Sequence, residues 1–238
     1  MPTWLVNITV DARCRRLYRN GLLDGHTLHC DLMRLVPDGL GDQPRREAGL
    51  LYRMEEAHCG LRVLAQLTAE PRVQALPNDW ARSAEQRELT PLLDRLQPGS
   101  HVRYRIAANP TKRHGNSAPA AKRGKLATLH GADAENWWHR KALDAGLEPT
   151  QIAATSLPDV LGRPNHRRLT QAEPPNPNQQ QRVYDTRTES ARHGMTRFDG
   201  IATVHDPDRL RAAVTTGIGR ARTYGCGLLS LAPLGESP

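Results

Sequence analysis

A chain of 238 residues with 33 Lys and Arg against 25 Asp and Glu, net charge +8, is long enough for one large or two small packed domains. Its four cysteines, Cys14, Cys30, Cys59 and Cys226, include no CxxC pair, which sets aside a disulfide framework and a zinc ribbon. It has no apolar run of the roughly 18 residues a membrane span needs, and the amino end MPTWLVNITV lacks a signal-peptide pattern, so a cytoplasmic protein without membrane attachment is expected.

Trp4, Val6, Ile8 and Val10 alternate along residues 3–10, the pattern of a strand with one buried face. Leu28, Leu32, Leu35 and Val36 then recur at helical spacing, with Asp24 as cap and Pro37 as stop. Residues 49–55 and 61–67 read as a hairpin around His58–Gly60. Leu89, Leu92, Leu93 and Leu96 predict a helix over 84–96, shortened or kinked by Pro91, and Val102, Tyr104 and Ile106 predict a strand over 101–107. The order βαββαβ is the split βαβ of ferredoxin-like folds.

Past Asn109 a second group of elements is expected. A weak strand around 125–130 precedes a helix capped by Asp133, with Trp138, Ala142 and Ala145 inward, and then a strand over 150–157. Residues 158–190, rich in Pro, Gln, Asn and Arg, read as a long insertion. A strand over 195–204, a helix capped by Asp206 with Pro207 first, and a strand at LLSLAPL close the chain. The predicted architecture is α+β, two tandem ferredoxin-like (split βαβ, RRM-like) domains, over 1–109 and 110–238.

Charge is unevenly placed. Residues 1–100 hold thirteen basic and thirteen acidic groups, residues 101–238 twenty against twelve. Arg103, Arg105, Lys112, Arg113, Lys122, Arg123 and Lys125 fall in a stretch without one acid, and Arg163, Arg167 and Arg168 form a second cluster. Such a run is either a solvated linker or a polyphosphate footprint, and its lack of acids favours the footprint. With ten aromatics, only one of them Phe, a reader of backbone and shape is expected over a base-stacking platform.

His26 and His29, three apart near a helix start, share one face. An imidazole exchanges protons near neutral pH, and a cation such as Arg34 nearby stabilises a charged transition state. The same pair also suits a structural role, and HxxHC resembles half a metal site whose remaining ligands have no second cluster, so no metal is predicted. Residues 217–227, GIGRARTYGCG, hold Gly217, Gly219, Arg220 and Arg222. They follow a helix and lead into a strand, the reverse of a dinucleotide fingerprint. Two readings stay open: a tight helix-to-strand connection with solvated arginines, or backbone amides and arginines set for phosphate.

The segment GIGRARTYGCGLLSLAP, preceded by FDGIATVHDP, resembles the carboxyl-terminal signature of the CasE family, the CRISPR RNA-processing endoribonucleases of type I-E Cascade. RYRIAANPTKR at 103–113, LLYRMEE at 50–56, PNDW at 77–80 and KRGKLATLHG before the Trp-bearing helix extend the resemblance to nearly the whole chain except 158–190. It implies tandem ferredoxin-like domains, metal-independent cleavage of the repeat hairpin of precursor CRISPR RNA, a retained product, and other Cascade subunits as partners. By that resemblance His29 takes the place of the family's acid/base His, with Asp24, His26 and Leu28 completing the motif. His26 stands where Tyr is usual, and Arg34 matches a basic position present in some members. The expected reaction is 2′-hydroxyl attack giving a 2′,3′-cyclic phosphate, with no cofactor. A noncatalytic RNA-hairpin-binding subunit is the alternative.

Overall fold

The alternation of Trp4–Val10 produces strand β1, with Val6, Ile8 and Val10 buried on one face. In the computed structural model, residues 2–11, 14–19, 21–57, 60–164 and 190–234 are described. A two-stranded ribbon, β2 (Tyr18–Arg19) and β3 (Leu22–Leu23), leads into helix α1 (Gly25–Leu32) and a 3-10 turn at Met33–Leu35. Next come α2 (Pro44–Glu47), the hairpin β4 (Leu51–Ala57) and β5 (Gly60–Leu67), then β6 (Ala81–Glu88) and α3 (Thr90–Asp94). The sheet order is β4-β5-β1-β6 with antiparallel neighbours, which is second-third-first-fourth in chain order, the ferredoxin-like arrangement. A 3-10 turn, Val73–Ala75, stands where the second crossover helix of that fold would be.

Residues 84–96 are therefore not one helix. The strand was hidden because β6 is an edge strand of mostly polar residues, whose pairing with β1 (Ile8 opposite Ala84) leaves little alternation to read. Pro91 sits in the first turn of α3, which lets a helix begin at Thr90 but not run through from 84.

The second unit begins earlier than expected. Strand β7 (His101–Ala108) pairs with neither β1 nor β6, since β1 is already flanked by β5 and β6. From β7 grows a ribbon of β8 (Thr111–Arg113) and β9 (Leu126–Thr128), then α4 (Gly131–Asp144), β10 (Leu147–Pro164), β11 (Ser190–Val204), α5 (Pro207–Thr216) and β12 (Leu229–Pro233). The order β10-β11-β7-β12 again reads second-third-first-fourth. The sheets divide between residues 88 and 101, not at 109, and the strand expected at 125–130 is one arm of the ribbon. Helix α4 starts at Gly131 with His130 as its cap, and Asp133 lies inside the first turn, where its charge suits the helix dipole.

Each unit has its own core. In the first, Leu28, Leu32 and Leu35 pack on Val6, Ile8, Val63, Tyr52 and Trp80. In the second, Trp138 stacks on Phe198 with centroids 5.7 Å apart and tilts against Tyr104 at 5.4 Å. Opposite these cores, the other faces of the two sheets line a shared cleft of about 780 Å³. Across it Arg53, 2% exposed, donates to the carbonyls of Arg105 (3.1 Å) and Leu228 (3.0 Å) and to Ser230 Oγ (3.1 Å), while Glu55 balances its charge. Gln66 Nε2 donates to the Val214 carbonyl at 2.6 Å. Among the described residues no helix is long and apolar enough to cross a membrane.

Candidate active site and nucleic-acid interface

Helix α1 is fixed at its start by Asp24, whose carboxylate accepts from the backbone N–H groups of His26 and Thr27, each at 3.1 Å. The turn Arg222–Tyr224 of the second unit and strand β10 pack against this helix. Gly25 is the point of closest approach: a Cβ there would lie 2.5 Å from Val160 Cγ1 and 3.4 Å from Tyr224 Cδ1. Beneath, the buried Tyr52 hydroxyl lies 3.0 Å from the Gly25 carbonyl and 2.9 Å from that of Thr223, joining the helix to the turn. Burial pushes this phenol well above its ordinary range, so it stays protonated as a donor.

His26 and His29 lie one turn apart on α1, and the exposed Cys30 has its Sγ 3.9 Å from the His26 ring nitrogens. His29 is half-buried and its Nδ1 is shut from solvent without a hydrogen-bond partner. Burial first, then the Arg45 guanidinium and His26, push its pKa down to about 4. The imidazole is thus neutral at physiological pH, the form able to accept a proton.

Arg34 lies in the 3-10 turn after α1, exposed, with no ion pair among the described residues. Five residues on from His29 is roughly 140° around a helix, so the chain does not aim the two at one point. The guanidinium that His29 does feel is that of Arg45 on α2. Sequence reasoning missed Arg45, and nothing local in PRRE separates it from any solvated arginine. His193, stacked on Tyr224 with centroids 4.6 Å apart, was missed too; burial lowers its pKa and its Nε2 has no partner.

In the glycine-rich loop the reading as a tight helix-to-strand connection is the one with contacts behind it. Gly217 has φ +77°, and a Cβ on it would meet Leu51 Cδ2 at 2.7 Å; Gly219 has φ +85° and faces Trp137 at 3.2 Å, so packing alone demands both glycines. Arg222 donates to the carbonyls of Gly219 (3.0 Å) and Thr216 (2.7 Å), tying the loop together, while Arg220 is exposed.

The basic residues separate into two places. Lys112, Arg113, Lys122, Arg123 and Lys125 stand exposed on the β8–β9 ribbon and its loop, where Lys112 meets Asp133 at 3.6 Å and Arg113 and Arg123 donate to loop carbonyls. Arg103 and Arg105 line the cleft between the sheets, on the face of the fold opposite α1. Arg105 is paired with Asp199 and approaches Glu55 at 3.5 Å. Arg167 and Arg168 lie outside the described residues, as does the Arg163 side chain. Among the described residues no three His, Cys, Asp or Glu side chains gather in a way that would hold a metal ion.

Fold and site together define a tandem ferredoxin-like protein in which a helix bearing two imidazoles in the first unit is closed over by a loop of the second. The model of the CRISPR associated protein family matches residues 3–233, and the chain belongs to that family, the one that includes Cse3 and CasE. The CRISPR-associated endoribonuclease Cse3 of Thermus thermophilus is 28% identical over 241 residues, covering 97% of this chain and all of that one. The Cascade subunit CasE of Escherichia coli is 27% identical over 219 residues, 89% of this chain and 93% of its own. The fold matches that of Cse3 bound to a 19-nucleotide RNA with a TM-score of 0.75 at 24% identity, over 98% of this chain and all of the other. A chain of a CRISPR RNA-guided surveillance complex in a pre-nicking state is 37% identical with a TM-score of 0.63, over 97% of this chain and all of that one.

Proposed function

We propose that this protein is the CRISPR RNA-processing endoribonuclease of a type I-E Cascade, cutting the repeat hairpin of precursor CRISPR RNA without a metal and holding the product within the complex. The observation that carries the reading is the neutral, half-buried His29, its Nδ1 unpartnered and a guanidinium beside it, under a roof made by the turn at 222–224. The basic β8–β9 ribbon and the exposed Arg220 and Arg34 supply surface for the phosphate backbone. The names of the relatives, endoribonuclease and Cascade subunit, support the same substrate and the same partners.

In the reaction the ribose 2′-oxygen attacks the adjacent phosphorus, the P–O5′ bond breaks, and a 2′,3′-cyclic phosphate and a 5′-hydroxyl result. His29 takes the 2′-hydroxyl proton. An in-line displacement puts the leaving oxygen on the far side of phosphorus, and two helix residues three apart have Cβ atoms about 5–6 Å from one another, a spacing that straddles a phosphate. In this reading His26 gives the second proton to O5′. For the protons to balance, His26 enters the step as the imidazolium and leaves it neutral, while His29 enters neutral and leaves protonated; an imidazole here replaces the phenol usual in the family.

The test is incubation of the purified protein with a labelled repeat hairpin in excess chelator, with product ends mapped for wild type, His29→Ala and His26→Ala. One metal-free cut leaving a cyclic phosphate, lost in His29→Ala and slowed in His26→Ala, supports the assignment. Undiminished cutting by His29→Ala overturns it, and tight binding with no cut makes this an RNA-holding subunit.

A further inference from the structure

Next to the catalytic helix, α2, α3 and α5 enclose a second cleft of about 600 Å³ between the two units. Arg45, Arg46, Arg211 and Arg222 line it together with the hydroxyls of Thr68, Thr215 and Thr216, and the carboxylates on its walls are those of Glu47 and Asp94. Those carboxylates do not neutralise it. Glu47 is turned back to accept from the backbone of Gly41 (2.9 Å) and Gln43 (3.3 Å), and Asp94 is exposed at the end of α3. Arg211 is already engaged, by Asp208 at 2.7 Å and the carbonyls of Leu93 and Leu96.

Arg46 is exposed and reaches the Gln43 side chain at 3.5 Å, whereas Arg45 and Arg222 are half-buried. Neither has a carboxylate within ion-pair distance among the described residues, and the Arg45 Nε is buried without any partner. Arg222 is, after burial itself, the main cause that lowers the Arg45 pKa, and with its Nε and Nη1 donating to the Gly219 and Thr216 carbonyls, Nη2 is the group Arg222 has left to donate. Two like charges in one cleft, neither paired with a carboxylate, favour an anion beside them, and a guanidinium donates strongly to phosphate oxygens. Arg222 belongs to the turn that packs against α1, and Arg45 acts on His29 of that helix, so the pair lies beside it.

We propose that Arg45 and Arg222 form a phosphate cradle in which a phosphodiester of the RNA strand cut at His29 is seated. The identity of that ligand rests on the nuclease reading given above; its anionic character rests on the two guanidinium groups alone. Arg45 is then a binding and positioning residue of the reaction, holding the strand while the imidazoles act on it.

The experiment uses the full chain and a repeat hairpin made uncleavable by a 2′-deoxy nucleotide at the cut. Affinity is followed against salt for wild type, Arg45→Ala and Arg45→Lys. The expected result is a slope of log affinity against log salt that is shallower by about 0.7 in Arg45→Ala, the value of one single-strand phosphate contact, and kept in Arg45→Lys. Single-turnover cleavage of the ordinary hairpin falls about 100-fold in Arg45→Ala. Heat denaturation in inorganic phosphate against chloride of equal ionic strength adds a readout free of RNA, with the wild-type midpoint raised by phosphate and that of Arg45→Ala raised less. An Arg45→Ala protein with wild-type slope, rate and phosphate response overturns the cradle, and if His29→Ala is inactive in the same series the nuclease reading stands without it. A wild-type protein that never cuts, but loses slope and phosphate response with Arg45→Ala, keeps the cradle and overturns the nuclease reading. Should Arg45→Ala fail to fold, Arg45→Lys and Arg45→Gln decide by the same slope: equal slopes for the two overturn the cradle.

Discussion

His29 should titrate far below an ordinary histidine, and this sets the pH behaviour of the enzyme. With a pKa of about 4 against 6.5, the neutral fraction at pH 5.5 is about 0.97 rather than about 0.09, a tenfold difference in the amount of competent base. In the free-enzyme profile, kcat/KM measured with trace RNA, the acid-side fall that marks loss of the base should therefore come near pH 4 and not between 6 and 7. Histidine resonances of the RNA-free protein, assigned by comparison with His29→Gln, should show one imidazole with a midpoint near 4. Arg45→Ala should raise that midpoint part of the way to 6.5, since burial is the larger cause and Arg45 the second. A midpoint of 6 to 7 that Arg45→Ala leaves unmoved would refute both the burial argument and the placement of Arg45.

The same depression has a sign for folding. Between pH 6.5 and 4 the unfolded chain takes up a proton on His29 that the folded chain refuses, so acid lowers stability across that window, and the loss of urea midpoint from pH 7 to 5 should be smaller in His29→Gln than in wild type. Arg53→Ala leaves Glu55 short of a buried partner and unties the two units, with an expected loss of about 3–5 kcal/mol in chemical denaturation. Gly25→Ala drives a methyl into Val160, so a loss of about 1–3 kcal/mol and slower cleavage are expected, read by melting and single turnover. Lys112→Ala should make the salt slope of RNA binding shallower by nearly one phosphate contact, whereas Arg105→Ala, its guanidinium committed to Asp199, should leave the slope unchanged.

Local signals carried well and non-local ones did not. The β1 alternation, the Asp24 cap and the Asp206–Pro207 start of α5 are each decided by neighbours within a few residues, and each stands in the structure as read. Strand β6 was misread because its pattern depends on an edge position, and β7 was given to the wrong sheet because nothing between 88 and 101 says which partner it takes. The imidazoles of the candidate site were legible as residue types, and the resemblance singled out His29. Arg45 was not, because it comes near His29 and Arg222 only when α2 folds back beside a helix sixteen residues earlier and a loop far later in the chain. Arg103 and Arg105 were counted with the basic ribbon on proximity in sequence, and the pleat then turned them into the cleft.

The hydrogen bond from Tyr52 to Thr223 spans 171 positions of the chain. A nascent polypeptide emerging from the ribosome can complete its first sheet and present both imidazoles long before residues 222–224 exist to cover them. Until that late segment docks, α1 lacks the turn that packs against it and the Tyr52 hydroxyl lacks its Thr223 acceptor, so this corner of the fold closes only after synthesis has passed residue 224.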